Sequence, residues 1–108
     1  MKIEKFFHPD GDRYAFDFNL CKSSDGWAQI DTEQDAWYFG IWANPFKLKV
    51  VEYAEGDVSI MTHNDEKEFS KQIRDLKESN GERFGIDPGF NQPLEEKFFS
   101  IGLGDLIR

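Results

Sequence analysis

Apolar and polar residues alternate along much of the first sixty positions, and this pattern predicts a succession of β-strands. The alternation is clearest over residues 14–21, where the aromatic side chains of Tyr14, Phe16 and Phe18 are separated by small or polar ones. Shorter patterns predict further strands over residues 2–7, 27–30, 37–42, 46–53 and 58–62. Short polar turns separate these segments, so we expect neighbouring strands to pair in antiparallel fashion.

The fourth of these predicted strands is apolar on both of its faces. The residues on one face are Trp37, Phe39 and Ile41, and those on the other are Tyr38 and Trp42. A strand of this kind is either covered by protein on both sides or displays an aromatic patch to a partner. Both interpretations remain open at the level of the sequence.

Two reversals follow this strand. Pro45 has no backbone N–H to give to a sheet, so we expect a tight reversal at residues 43–45, with a bulge in one long strand as the alternative. The second reversal is centred on Glu55, Gly56 and Asp57 and closes a hairpin between residues 46–53 and 58–62.

The pattern changes to a helical period after residue 64. Asp65 is a suitable N-cap, and Glu68 three residues later completes a capping-box pattern. Asn80 and Gly81 predict the end of the helix, because glycine accepts the left-handed backbone conformation beyond a helix terminus. The apolar stripe of this helix consists of Phe69, Ile73 and Leu76.

Pro93 is placed to open a second, shorter helix over residues 94–100. Strands that precede helices in this way are typical of the α+β class. We therefore expect one domain over residues 1–108, in which an antiparallel meander of five or six strands packs against one main helix, with a short C-terminal helix.

Composition narrows the classes of function. The formal net charge of −8 argues against direct nucleic-acid binding, which needs a basic surface, and the 16% aromatic content argues against a disordered chain. No apolar run is long enough for a signal peptide or a membrane span, so we expect no membrane association. Together with the lone Cys21, this favours the reducing cytoplasm.

The negative charge is concentrated in two segments, residues 10–35 and 52–68, whereas the last forty residues are nearly neutral. Such segments either form an ordinary solvated surface or bind a basic partner. Partial nucleic-acid mimicry is one form of the second alternative. Full mimicry would need more carboxylates, because about ten base pairs of duplex carry about twenty phosphates.

Few residues carry recognisable chemistry. His8, Asp10 and Asp12 do not have the spacing of a calcium loop, and Cys21 has no second cysteine for a zinc site. Neither Cys21 nor His63 belongs to a nucleophile motif. The sequence therefore assigns no catalytic residue, no cofactor and no metal ligand.

These observations favour a non-enzymatic binding protein, such as an inhibitor or regulator that occupies a basic surface of a partner protein. One alternative is a small enzyme or ligand-binding domain with a pocket between sheet and helix. Another is a structural subunit that buries aromatic residues in a homo-oligomer, and the choice between monomer and homodimer stays open. The candidate partner-binding residues are Asp31, Glu33, Asp35, Trp37, Tyr38, Trp42, Glu55 and Asp57.

Overall fold

A computed structural model describes residues 1–7, 21–31, 39–54, 56–85 and 92–106. Within these residues the fold consists of one sheet and two helices. The strands are β1 (Lys2–Phe7), β2 (Ala28–Gln29), β3 (Phe39–Asn44), β4 (Lys49–Ala54) and β5 (Asp57–Thr62). The helices are α1 (Glu66–Asn80) and α2 (Gln92–Ser100), and short 3-10 turns occupy Ser23–Asp25, Gly81–Arg83 and Gly104–Leu106.

All strand pairs in the described sheet are antiparallel, and the strand order is β1-β5-β4-β3-β2. Strands β2 to β5 follow one another as a meander, and β1 lies at the far edge beside β5. Five strands are described in the sheet, and the main helix precedes a shorter one, so the predicted α+β architecture is confirmed.

The predicted tight reversal is confirmed and the alternative of a bulge is wrong, but Ala43 and Asn44 belong to β3 and the turn spans residues 45–48. Its cause is the buried side chain of Asn44, whose Oδ1 accepts the backbone N–H groups of Phe46 and Lys47, both at 3.0 Å. The turn continues through Leu48, which adopts a positive φ of 57°. The strand predicted over residues 46–53 therefore begins only at Lys49, because its first three residues belong to the turn.

The second predicted strand, residues 14–21, lies outside the described residues except for Cys21, which occupies a bend. The helix predictions are confirmed at three points. Asp65 caps α1 by accepting the N–H of Glu68 at 2.8 Å, and Gly81 ends the helix at a φ of 57°. Pro93 lies in the first turn of α2.

The sheet is covered on both faces. One face carries the main core, in which the helices pack on the strands through Ala28, Ile30, Ala43, Val50, Met61, Phe69, Ile73, Leu94, Phe98 and Leu103. The opposite face carries a smaller cluster of Cys21, Trp27, Trp42, Val51 and Tyr53, with Val58 and Ile60 packed against it. Such double coverage explains why strands in this chain are apolar on both sides.

Candidate functional site

The predicted partner-binding residues divide into three groups. Those that lie outside the described residues are Glu33, Asp35, Trp37, Tyr38 and Glu55. Asp57, at the start of β5, is exposed, whereas Asp31 and Trp42 are buried. The net charge of the whole chain is −8, and more than half of this excess of acidic over basic residues lies outside the described ranges.

Trp42 is only 3% exposed and packs within the smaller of the two apolar clusters. Its ring lies directly over Gly40, where a Cβ atom would come within 2.1 Å of Cη2 of the indole. Because Trp42 is buried within its own chain, its ring is not part of an exposed aromatic surface that a partner could contact. For this residue, the two-sided apolar pattern reflects coverage of both faces of the sheet.

Asp31 is buried because it joins two parts of the chain. Its Oδ2 accepts a hydrogen bond from Nη2 of Arg83 at 3.0 Å. The neighbouring backbone is also paired, since Asp31 forms a β-bridge with Phe84 and the N–H of Gly85 donates to the carbonyl of Ile30 at 3.0 Å. Asp31 therefore holds the segment after α1 against the edge of the sheet, and its charge is neutralised inside the molecule.

These contacts border a cleft between the sheet and the C-terminal end of α1, with a volume of about 350 Å³. This cleft lies where the chain enters β3 and leaves β4, and the bridged segment closes one side of it. Its described lining residues are Asp31, Phe39, Gly40, Ile41, Glu52, Tyr53, Ala54, Leu76, Ser79, Asn80 and Arg83.

Glu52 contributes a half-buried carboxylate to this cleft. The register places it opposite Ile41, and alternation along β4 puts it on the same face as the buried Val50. No hydrogen bond or ion pair within the described part of the chain involves its carboxylate. Burial raises the pKa of the Glu52 carboxyl, because the charged form loses hydration without gaining a counter-charge.

The end of α1 forms the opposite wall. Nδ2 of Asn80 donates to the carbonyl of Leu76 at 2.7 Å, so Oδ1 of the same amide is left as an acceptor. The last turn of a helix also carries the negative end of its dipole. The described lining of the cleft therefore includes a half-buried carboxylate, the amide of Asn80 and a helix C-terminus, and the guanidinium of Arg83 within that lining is engaged by Asp31.

An exposed aromatic ring lies at the margin of the cleft. Phe39 is 47% exposed and pairs with Ala54 across the β3–β4 ladder. It is diagonal to Glu52 on the same face of the sheet, a separation that an aromatic side chain spans. An incoming group would therefore meet both an aromatic surface and a carboxylate.

His63, which belongs to no nucleophile motif, is buried and takes part in a hydrogen-bond network at the start of α1. Its Nδ1 bonds to Oε1 of Glu68 at 3.1 Å, and its Nε2 contacts Oε1 of Gln72. This hydrogen bond and a second from the N-terminal ammonium of Met1, 3.2 Å away, lower the pKa of Glu68. The network anchors the start of α1, and both ring nitrogens of His63 are occupied.

Cys21 is buried in the smaller apolar cluster, and burial raises the pKa of its thiol to about 12. A thiol of this kind is protonated at neutral pH and packs as a small apolar group. Its environment is therefore that of a structural cysteine. His8, Asp10 and Asp12, which lack the spacing of a calcium loop, lie outside the described residues.

The sequence pointed to part of this site only. Glu52 carried a usable signal, because an acid alternates with Val50 on the core-facing side of a strand. The pairing of Asp31 with Arg83 joins residues 52 positions apart and has no local signature.

Three further observations bear on the site. Within the described ranges, no three His, Cys, Asp or Glu side chains group as metal ligands do. In the same part of the chain, no helix has the length and apolar character needed to cross a membrane. Comparisons with protein-family models, with curated protein sequences and with solved structures gave no match.

Proposed function

We propose that this protein is a non-enzymatic binding protein that occupies a basic surface of a partner protein, with the cleft at Glu52 as its point of contact. The observation that carries this proposal is the half-buried carboxylate of Glu52, which has no counter-charge among the described residues. A basic group of a partner would supply that charge and offset the free energy of burying the carboxylate. As part of the proposal, the protein acts in the reducing cytoplasm.

The composition of the cleft supports a binding role. Its described walls bring together aromatic, aliphatic and polar side chains, and two carboxylates outnumber the single guanidinium of Arg83. Interfaces rely on a few such anchor positions, where a partner side chain enters a pocket and loses its water. Phe39 is well placed as an anchor, since it is large, apolar and half exposed.

Photo-crosslinking from position 39 tests the proposal. A photoreactive phenylalanine analogue would replace Phe39 in the full chain, and adducts formed in the source lysate would be compared with those formed from position 46. Phe46 is 50% exposed, close to the 47% of Phe39, but it lies in the turn at the other end of β3. The two sites therefore match in exposure and differ in location.

We expect basic proteins to be crosslinked from position 39. These adducts should be lost when the Glu52→Gln substitution is added and when the salt concentration is high. Few adducts should form from position 46. Adducts that form equally from both positions, or that persist undiminished in the Glu52→Gln variant, would contradict the proposal. So would a complete absence of adducts from position 39 under conditions where position 46 reacts.

A second candidate is a small-ligand-binding domain, the alternative with a pocket between sheet and helix. The volume of the cleft favours it, because about 350 Å³ falls in the range of roughly 300–1,000 Å³ typical of small-molecule sites. A structural role in a homo-oligomer gains less support, since Trp42 is already buried within a single chain. A titration with a small amine, described below, separates the first two candidates.

A further inference from the structure

We propose that the group received by the cleft is a lysine side chain of the partner, with its ammonium at Glu52 and its methylene chain along Phe39. This inference rests on the proposed function and adds the chemistry of the ligand to it. It is carried by how the charged, polar and apolar atoms of the cleft are arranged.

Charge is the first argument. In its ionised form Glu52 has no cation paired with it in the described structure, and the nearby guanidinium of Arg83 is hydrogen-bonded to Asp31 at 3.0 Å. The unpaired charge of the described lining is therefore negative. A cation that enters the cleft would stabilise the charged carboxylate of Glu52, which burial destabilises, whereas an anion would be repelled by it.

Helix α1 adds a second, independent contribution. Its final turn forms one wall through Leu76, Ser79 and Asn80, so the negative end of the helix dipole lies beside the cleft. Lys77 belongs to the same turn but does not line the cleft. A cation in the cleft is stabilised by the dipole as well as by the carboxylate.

The apolar part of the lining suits the stem of a lysine. Phe39, Ile41 and Leu76 border the same cleft as Glu52. A lysine side chain covers apolar surface with its four methylene groups while its ammonium reaches a polar partner. An exposed aromatic ring adds a favourable contact for a cation that passes over its face.

Stem length and the shape of the charged group distinguish lysine from arginine. A lysine side chain has four methylene groups and an arginine side chain has three, so lysine covers more of the apolar lining before its charge reaches Glu52. The ammonium is a compact charge whose three donors rotate towards the acceptors around them. A guanidinium is a planar fork with five donors in fixed directions, so it needs acceptors of matching geometry.

The test uses short peptides, acetylated at one end and amidated at the other, with a central Lys, Arg or norleucine. The small cation n-butylammonium is tested beside them as a ligand without a peptide backbone. Binding to the full-length chain would be followed by amide chemical shifts. We expect the lysine peptide to shift Phe39, Ile41 and Leu76 and to bind at least fivefold more tightly than the arginine peptide. Norleucine, which keeps the stem and lacks the charge, should produce no saturable shift.

Variants locate the interaction. Glu52→Gln should weaken the lysine peptide at least tenfold. Glu95→Gln, which removes the same charge from a half-buried position on α2 outside the cleft, should have no effect. Asn80→Ala should weaken lysine binding less than Glu52→Gln does, because it removes one neutral acceptor.

Equal or tighter binding of the arginine peptide would overturn the inference, and so would saturable binding of norleucine. Butylammonium that binds as tightly as the lysine peptide would also overturn it, and would favour a small amine as the ligand. If crosslinking from position 39 depends on Glu52 while the lysine peptide does not bind, the proposed function stands and only the lysine assignment fails. If the lysine peptide binds while no Glu52-dependent adduct forms in the lysate, the cleft accepts a lysine ammonium and the proposed function fails.

Discussion

Arg83 donates a hydrogen bond to the buried carboxylate of Asp31 at 3.0 Å, and this contact joins the residues that follow α1 to the edge of the sheet. The same contact borders the cleft. Because it occupies Arg83, the carboxylate of Glu52 in that cleft has no paired cation among the described residues. One ion pair thus has both a structural and an electrostatic consequence.

Replacing Asp31 with Asn should therefore destabilise the fold. The substitution removes the charge from a hydrogen bond to a buried acceptor, and we expect the free energy of unfolding to fall by about 1–3 kcal/mol. Urea denaturation is the measurement. Asp75→Asn is the control, since it breaks an exposed ion pair with Lys71 and should change stability by about 0.5 kcal/mol or less. Equal effects of the two substitutions would contradict the structural role of Asp31.

Glu52→Gln should stabilise the protein at neutral pH. Burial raises the pKa of the Glu52 carboxyl in the native protein above 4.5. The stability that this group contributes is therefore fully present below pH 4.5, where the carboxyl is neutral, and is lost as the pH rises through the native pKa. The variant has no charge to bury. Its stability should exceed that of the wild type at pH 7 and approach it at pH 4, as measured by urea denaturation at both values. A variant that is less stable at pH 7 would show that the charged form is favoured in the cleft.

The thiol of Cys21 should resist modification in the native protein. Burial raises its pKa to about 12 from 9.0, which lowers the thiolate fraction at pH 8 by about a thousandfold. A chromogenic disulfide reagent should react fast in urea and very slowly in buffer. The raised pKa also contributes stability that is present below pH 9 and is lost as the pH rises towards 12, and this loss should be absent in Cys21→Ala. Rapid native reaction would contradict the described burial.

Gly40→Ala should be destabilising by about 1–3 kcal/mol, because the added Cβ would lie 2.1 Å from the ring of Trp42. The same substitution in a Trp42→Phe background should be less damaging, since the smaller ring leaves room for the methyl group. Thermal or urea unfolding of the four proteins forms a double-mutant cycle. Strict additivity of the two substitutions would contradict the close packing of residue 40 against the indole ring.

Much of the fold followed from the sequence because its signals are local. The capping pattern at Asp65, the stop at Gly81 and the hairpin before β5 depend on residues a few positions apart. Apolar alternation predicts the start of β4 too early, because the side chain of Asn44 accepts hydrogen bonds from the backbone N–H groups of Phe46 and Lys47 and holds these residues in a turn. Apolar alternation alone carries no information on such a side-chain contact.

The candidate site was less predictable because it depends on contacts between distant segments. The sequence predicts Asp31 as a partner-binding residue, and only the three-dimensional fold reveals that Arg83 reaches it. Charge patterning groups Glu52 with the other acids of residues 52–68, although its alternation with Val50 places it on the core-facing side of the strand. The deciding quantity, the missing counter-charge in the described cleft, is a property of tertiary packing.

The most direct test of the central claim is the pH titration of Glu52 itself. Its carboxyl carbon can be followed by NMR in the full-length chain, first alone and then with a saturating lysine peptide. We expect the lysine peptide to lower the pKa of Glu52, because the bound ammonium stabilises the carboxylate, and the norleucine peptide to leave it unchanged. A pKa of Glu52 that is the same with and without the lysine peptide would contradict the claim that this carboxylate receives a cationic group.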